Sequence, residues 1–207
     1  MWLLLILAHK RQRKVKWIGN ILLNRMRNLF FHIPKTGGSS VRKALMDTGQ
    51  YNNWMRGHWT ASQIKARSKM HGLEYKELFT VVRNPYDRFA SNFFHVRGRK
   101  SRCSSHYTHF NKLSFDEYTH RFLEDWDSIE MLDNYHHFLP QRTYFDTDDY
   151  VRVFRTEDLA RIDDYIGARL TNENVGTYKD SYEKLYTPKL RRLVREFYHE
   201  DFEKFGY

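Results

Sequence analysis

Residues 30–40 read Phe-Phe-His-Ile-Pro-Lys-Thr-Gly-Gly-Ser-Ser, and their types point to anion chemistry. Lys35 brings a cation, Thr36, Ser39 and Ser40 bring hydroxyls, and Gly37 and Gly38 let backbone approach a ligand closely. An apolar run at 29–33 precedes them, and helical spacing follows: Val41, Ala44 and Leu45 share a face that Gly49 closes. Strand, tight loop and helix start in that order make a phosphate cradle, because free N–H groups and the helix dipole both favour an anion there. The nucleotide-binding pattern GxxxxGK[ST] is absent, since here the lysine precedes the glycines and no Gly-Lys-Ser/Thr follows. Phosphate chemistry without the usual magnesium arrangement is therefore expected.

A second block with similar capacity lies at 81–91, Val-Val-Arg-Asn-Pro-Tyr-Asp-Arg-Phe-Ala-Ser. The run 78–82 reads as a second buried strand. Arg83 then stands at its carboxyl end, where open α/β sheets bind ligands. Asn84 suits a helix cap and Pro85 the first helical position. Tyr86, Phe89, Ala90 and Phe93 recur at helical spacing and read as core, while Ser91 by default reads as a helix-surface residue.

The two blocks, in this order and spacing, resemble those of the carbohydrate sulfotransferases, which use 3′-phosphoadenosine 5′-phosphosulfate (PAPS). HIPKTGGSS looks like that family's 5′-phosphosulfate loop, and the 81–91 block is similar to its 3′-phosphate motif. Weaker likeness continues through Arg-Thr-Glu-Asp-Leu at 155–159 to the final Asp-Phe-Glu-Lys-Phe-Gly-Tyr, so the resemblance covers about residues 29–207. It implies that Lys35, Thr36, Gly37, Gly38, Ser39 and Ser40 hold the phosphosulfate, that Arg83 and Ser91 hold the 3′-phosphate, and that no metal is required. It also implies a late loop near 171–182 that helps hold the nucleotide. Lys35 is the residue expected to neutralise charge developing on the leaving phosphate.

A base must accept the acceptor's proton, and the chain has 11 histidines. His58 falls between the two blocks, just before the capping box Thr60-Ala61-Ser62-Gln63. In the uronyl 2-O-sulfotransferases of the resembling family a catalytic histidine occupies a similar place. His136 and His137 flank the pair Pro140-Gln141, which resembles a family feature near the acceptor, and they stay open as alternatives. Neighbouring histidines point in different directions, so one of the two at most is expected to face a site. His32 reads as packed or phosphate-adjacent. His106 and His109 have a metal-like spacing, but no carboxylate or cysteine completes a set, and no metal site is expected. The lone cysteine, Cys103, rules out an internal disulfide and reads as an exposed thiol.

The elements that must position these residues follow from periodicity. Strands are expected at 29–33, 78–82 and 151–154, and helices after each block. Further helices are expected from Ala61, from the capping box at Ser114 to Glu117, over 157–170, and after Thr187-Pro188. Alternating strands and helices imply a three-layer α/β domain with a mainly parallel, P-loop-NTPase-like sheet. One domain over 29–207 is expected, behind a basic and apolar segment at 1–28.

That segment begins with apolar residues 2–8, far short of the roughly 20 needed to span a bilayer. Its basic residues follow the apolar run rather than precede it, the reverse of a secretion signal. Contact with anionic lipid remains one reading. The expectation is a cytoplasmic enzyme, with the Golgi or a membrane surface as the alternative. A formal charge of +10 fits an anionic partner. The leading expectation is sulfuryl transfer from PAPS to a hydroxyl of a carbohydrate. A P-loop-type small-molecule kinase and a non-enzymatic polyanion- or nucleic-acid-binding protein are the alternatives. Neither rival accounts for both blocks, and no nucleic-acid partner is expected.

Overall fold

The computed structural model describes residues 27–98, 110–124, 135–171 and 182–207. Among them three strands form one parallel sheet in the order β1 (Arg27–Phe30), β2 (Tyr75–Val82), β3 (Val151–Arg155). Central β2 is buried along its last five residues, as its run of Leu, Phe, Thr and Val requires. The register pairs Phe30 with Phe79 and Val82 with Arg155. All three strands point the same way, so their carboxyl ends deliver the 34–40 loop, Arg83 and Thr156 to one edge.

Seven helices are described. The first two are α1 (Gly38–Asp47) and α2 (Ala61–Met70), which precede β2. After β2 come α3 (Pro85–Gly98) and α4 (Phe115–Glu124). After β3 come α5 (Ala160–Ile166), α6 (Pro188–Phe197) and α7 (His199–Phe205). The expected caps are formed. Thr60 accepts from Gln63 N and receives Gln63 Oε1 on its own N–H. Ser114 and Glu117 exchange the same pair of bonds, and the Asn84 side chain accepts from Tyr86 N.

Two cores result. One lies around the sheet, with Phe30, Phe31, Ile33, Val41, Ile64 and Phe79 at its centre. The other joins α3, α4, α6 and α7 through aromatic residues, among them Phe89, Phe93, Tyr118, Phe122 and Tyr198. The core stripe expected on α3 is thus present.

Four expectations are corrected. The first strand begins at Arg27 and ends at Phe30, although Phe31 N still donates to Phe79 O at 3.2 Å. The Arg27 guanidinium bonds Gly49 O, which ties down residues that the sequence assigned to the N-terminal segment. The helix expected over 157–170 is shorter: a 3₁₀ turn at Thr156–Asp158 leads into α5, and left-handed Gly167 ends it. Ser91 is buried rather than on the helix surface. The expectations for residues 1–26, Cys103, His106, His109 and the late loop at 172–181 lie outside the described residues. No helix among the described residues is long and apolar enough to cross a membrane.

Candidate active site

The loop after β1 is shaped by two left-handed residues, Lys35 at φ 68° and Gly37 at φ 79°. Glycine adopts that conformation freely, whereas for lysine it costs about 1–3 kcal/mol and marks a position that the surroundings impose. Such a backbone turns successive N–H groups towards one concavity. The Thr36 hydroxyl donates to Ile33 O at 2.9 Å and the side chain is fully buried, so it braces the loop from beneath. Gly37 is the N-cap of α1, and no side chain among the described residues caps this end. No side chain competes for this helix start, an end that suits an anion, although Ser40 N already donates to Gly37 O at 3.0 Å. Ser39 is half-buried at this end and Ser40 is buried.

Gly38 is required for a different reason. A Cβ there would lie 2.1 Å from Cδ2 of His32. The missing side chain makes room for a buried imidazole directly against the loop.

Arg83 reaches the same loop from the end of β2. Its Nη1 donates to Lys35 O at 3.2 Å, and its Nε and Nη2 make a fork onto Asp87 at 2.6 and 2.8 Å. The fork holds the guanidinium in place by paired, charge-assisted bonds. Buried Gln141 clasps the Arg83 peptide on both sides: Arg83 N donates to its Oε1 at 2.9 Å, and its Nε2 donates to Arg83 O at 2.9 Å. Asp201, also buried, holds this clasp by accepting from Gln141 N and Arg142 N, each at 2.8 Å. The Pro140-Gln141 pair thus positions Arg83.

Buried Arg88 joins the loop to the histidine turn. Its Nε donates to Pro34 O at 2.9 Å, Nη1 to Leu139 O at 2.8 Å and Nη2 to His137 O at 3.3 Å. Thr156 closes the sheet edge, its hydroxyl lying 2.8 Å from Thr36 O and 3.0 Å from Val82 O. Sequence reasoning missed Arg88 and Thr156. Both stand in the recognised blocks, but nothing in residue type or spacing separates a buried strut from an exposed ligand.

His58 sits beside this loop. Its ring centroid is 4.8 Å from that of His32, 4.8 Å from His136 and 5.4 Å from His137. Its Nδ1 lies 3.1 Å from His32 O. A carbonyl only accepts, so Nδ1 carries the proton and Nε2 keeps the lone pair. Both His136 and His137 contact His58, which corrects the expectation that one at most would face the site. They occupy a 3₁₀ turn, Tyr135–His137, where successive side chains are about 120° apart and two can embrace a third ring. Tyr144 Oη donates to His136 O at 2.7 Å and anchors the turn.

Burial holds His58 below the ordinary histidine pKa, and nearby Arg42, Arg88 and Lys35 push it further down, against the opposing hydrogen bond to His32. Burial likewise depresses His136, to about 4, with His58 and Arg88 adding to the effect. Buried His32 and half-buried His137 also lie well below the ordinary value, with desolvation again the largest cause. The four rings are thus neutral at physiological pH, and Lys35 is close enough to act on three of them.

A left-handed loop that carries Lys35, the positioned Arg83 guanidinium and the neutral His58 ring thus stand at one sheet edge. The sequence model of the sulfotransferase family matches residues 24–207, nearly the whole chain. The protein belongs to the sulfotransferase family, and sulfuryl transfer is its chemistry. No curated protein and no solved structure matches it.

Proposed function

We propose that the protein transfers the sulfuryl group of PAPS to a hydroxyl of a carbohydrate. The observation that carries this reading is the 3.1 Å bond from His58 Nδ1 to the carbonyl of His32. It turns the free Nε2 lone pair into a base whose support is the same segment that feeds the phosphate loop. On the resemblance, Lys35, Gly37, Gly38, Ser39, Ser40 and the backbone of Thr36, whose hydroxyl is held by Ile33 O, take the phosphosulfate, and Arg83, which also bonds Lys35 O, and Ser91 take the 3′-phosphate. PAPS supplies an activated sulfuryl group with adenosine 3′,5′-bisphosphate as the leaving product.

The chain's own residues supply the rest. His58 Nε2 accepts the proton of the attacking hydroxyl, which needs a neutral imidazole near the working pH. Lys35 and the α1 N-terminus stabilise charge that develops on the leaving phosphate. Holding acceptor and donor in line contributes as much as either. The resemblance in the first block supports PAPS, and a 330 Å³ groove beside α1, lined by Arg42, Arg56 and the Lys43–Asp47 ion pair and so net positive, supports an anionic acceptor.

The test is transfer of radiolabelled sulfate from PAPS to a panel of glycans, with Lys35→Ala as the comparison. Turnover should fall by about 10²–10³-fold, the usual loss for one oxyanion-type donor. Turnover equal to wild type removes Lys35 from the mechanism. Adenosine 3′,5′-bisphosphate should raise the melting temperature, by about 2.7 kcal/mol of stabilisation at a hundred times its Kd, and ATP with magnesium should not.

A further inference from the structure

The histidine cluster has a capacity that proton transfer does not use. His58, His136 and His137 can each present one ring nitrogen so that the three lie within 4.8 Å of one another. We propose that these three residues form a binding site for a divalent transition-metal ion such as zinc, and that the bound ion blocks sulfuryl transfer. The blocking half rests on His58 being the base, because the ion and the acceptor proton compete for one Nε2 lone pair.

The geometry favours ligation. Zinc–nitrogen bonds of about 2.0–2.1 Å in a tetrahedron place nitrogens roughly 3.3 Å apart, so small ring rotations complete the site. Metal-binding histidines characteristically give their other ring N–H to a carbonyl or carboxylate, which fixes tautomer and aim. His58 already has that partner in His32 O. The backbone carrying the other two is pinned, through Tyr144 to His136 O and through Arg88 to His137 O. All three residues are imidazoles, a donor set that suits zinc, copper or nickel and not the oxygen-seeking calcium or magnesium. Lys35, Arg42 and Arg88 stand near and oppose a bare cation, so the fourth position suits an anion such as hydroxide. The sequence expectation of no metal site concerns His106 and His109 alone. Sequence spacing does not bring 58 beside 136 and 137.

The experiment uses the untagged full chain, stripped with EDTA and then titrated with cobalt(II) by visible absorption and with zinc by calorimetry. One ion per chain is expected. His58→Gln and His136→Gln should each weaken it tenfold or more, with far-ultraviolet circular dichroism unchanged. Zinc should inhibit sulfate transfer by the wild type, and His136→Gln should need tenfold more zinc for the same fractional inhibition. Unchanged affinity in both variants overturns the site, as does loss of the ion in His106→Gln alone. Zinc bound at these histidines without inhibition overturns the blocking role. Metal binding intact in a protein that transfers no sulfate upholds the site and refutes the transfer reading instead.

Discussion

The loop after β1 and the histidine cluster lie against each other, yet they are built on opposite principles. The loop is seven consecutive residues, 34–40, shaped by two left-handed backbone positions and by the Thr36 hydroxyl bond to the adjoining Ile33 O. The cluster draws His32 from just after β1, His58 from a connection before α2, and His136 and His137 from a 3₁₀ turn. A contiguous loop carries its geometry in local backbone preferences. A cluster exists only when separate segments pack. The two are coupled through Arg88, which bonds Pro34 O and His137 O, and where the absent Gly38 side chain admits the ring of His32, whose carbonyl orients His58.

The sharpest way to separate the regions is His58→Ala. It should lower kcat by about 10²–10⁴-fold, the range for loss of a general base, while adenosine 3′,5′-bisphosphate binds as before. If kcat survives and His136→Ala or His137→Ala abolishes it, the base belongs to the 3₁₀ turn. Arg83→Ala addresses the donor side. A charge-assisted bond contributes about 1.5–3 kcal/mol, so affinity for adenosine 3′,5′-bisphosphate should fall tenfold or more while that for adenosine 5′-phosphate changes little. Equal weakening of both nucleotides contradicts the 3′-phosphate role.

Gly38→Ala tests the coupling itself. The new Cβ must displace a buried ring, and overpacking of this kind costs about 1–3 kcal/mol. A chemical-denaturation midpoint lowered accordingly, together with reduced transfer, is expected. A fully stable and active variant shows that the Gly38–His32 contact does not couple the regions.

The smallest effect concerns acid, measured in EDTA so that no metal intervenes. Histidines held below their unfolded pKa are neutral in the folded state and take up protons on unfolding. Their contribution to stability is complete above the ordinary value of 6.5 and is lost as pH falls through the folded values, about 4 for His136. Because His136 keeps some exposure, the loss attributable to it is about 1 kcal/mol. The melting temperature should fall between pH 6.5 and 4, and His136→Gln should flatten that slope. An unchanged slope removes His136 from the titrating set.

The amino-acid sequence by itself determined the loop at 34–40, the place of Arg83 at a strand end, three helix caps and the core stripe of α3. Each depends on residues a few positions apart, where φ/ψ preferences and nearest-neighbour hydrogen bonds decide. It also placed His58 between the two blocks. Only the tertiary structure decided that His136 and His137 both meet His58, because their 3₁₀ turn lets two side chains that point in different directions flank one ring. Gln141 as a clasp on Arg83, Arg88 as a strut between loop and turn, and Ser91 as a buried residue were decided there too. Their roles depend on which buried carbonyl or amide lacks a partner once the chain has packed, and that need is created by distant segments rather than by neighbours in sequence.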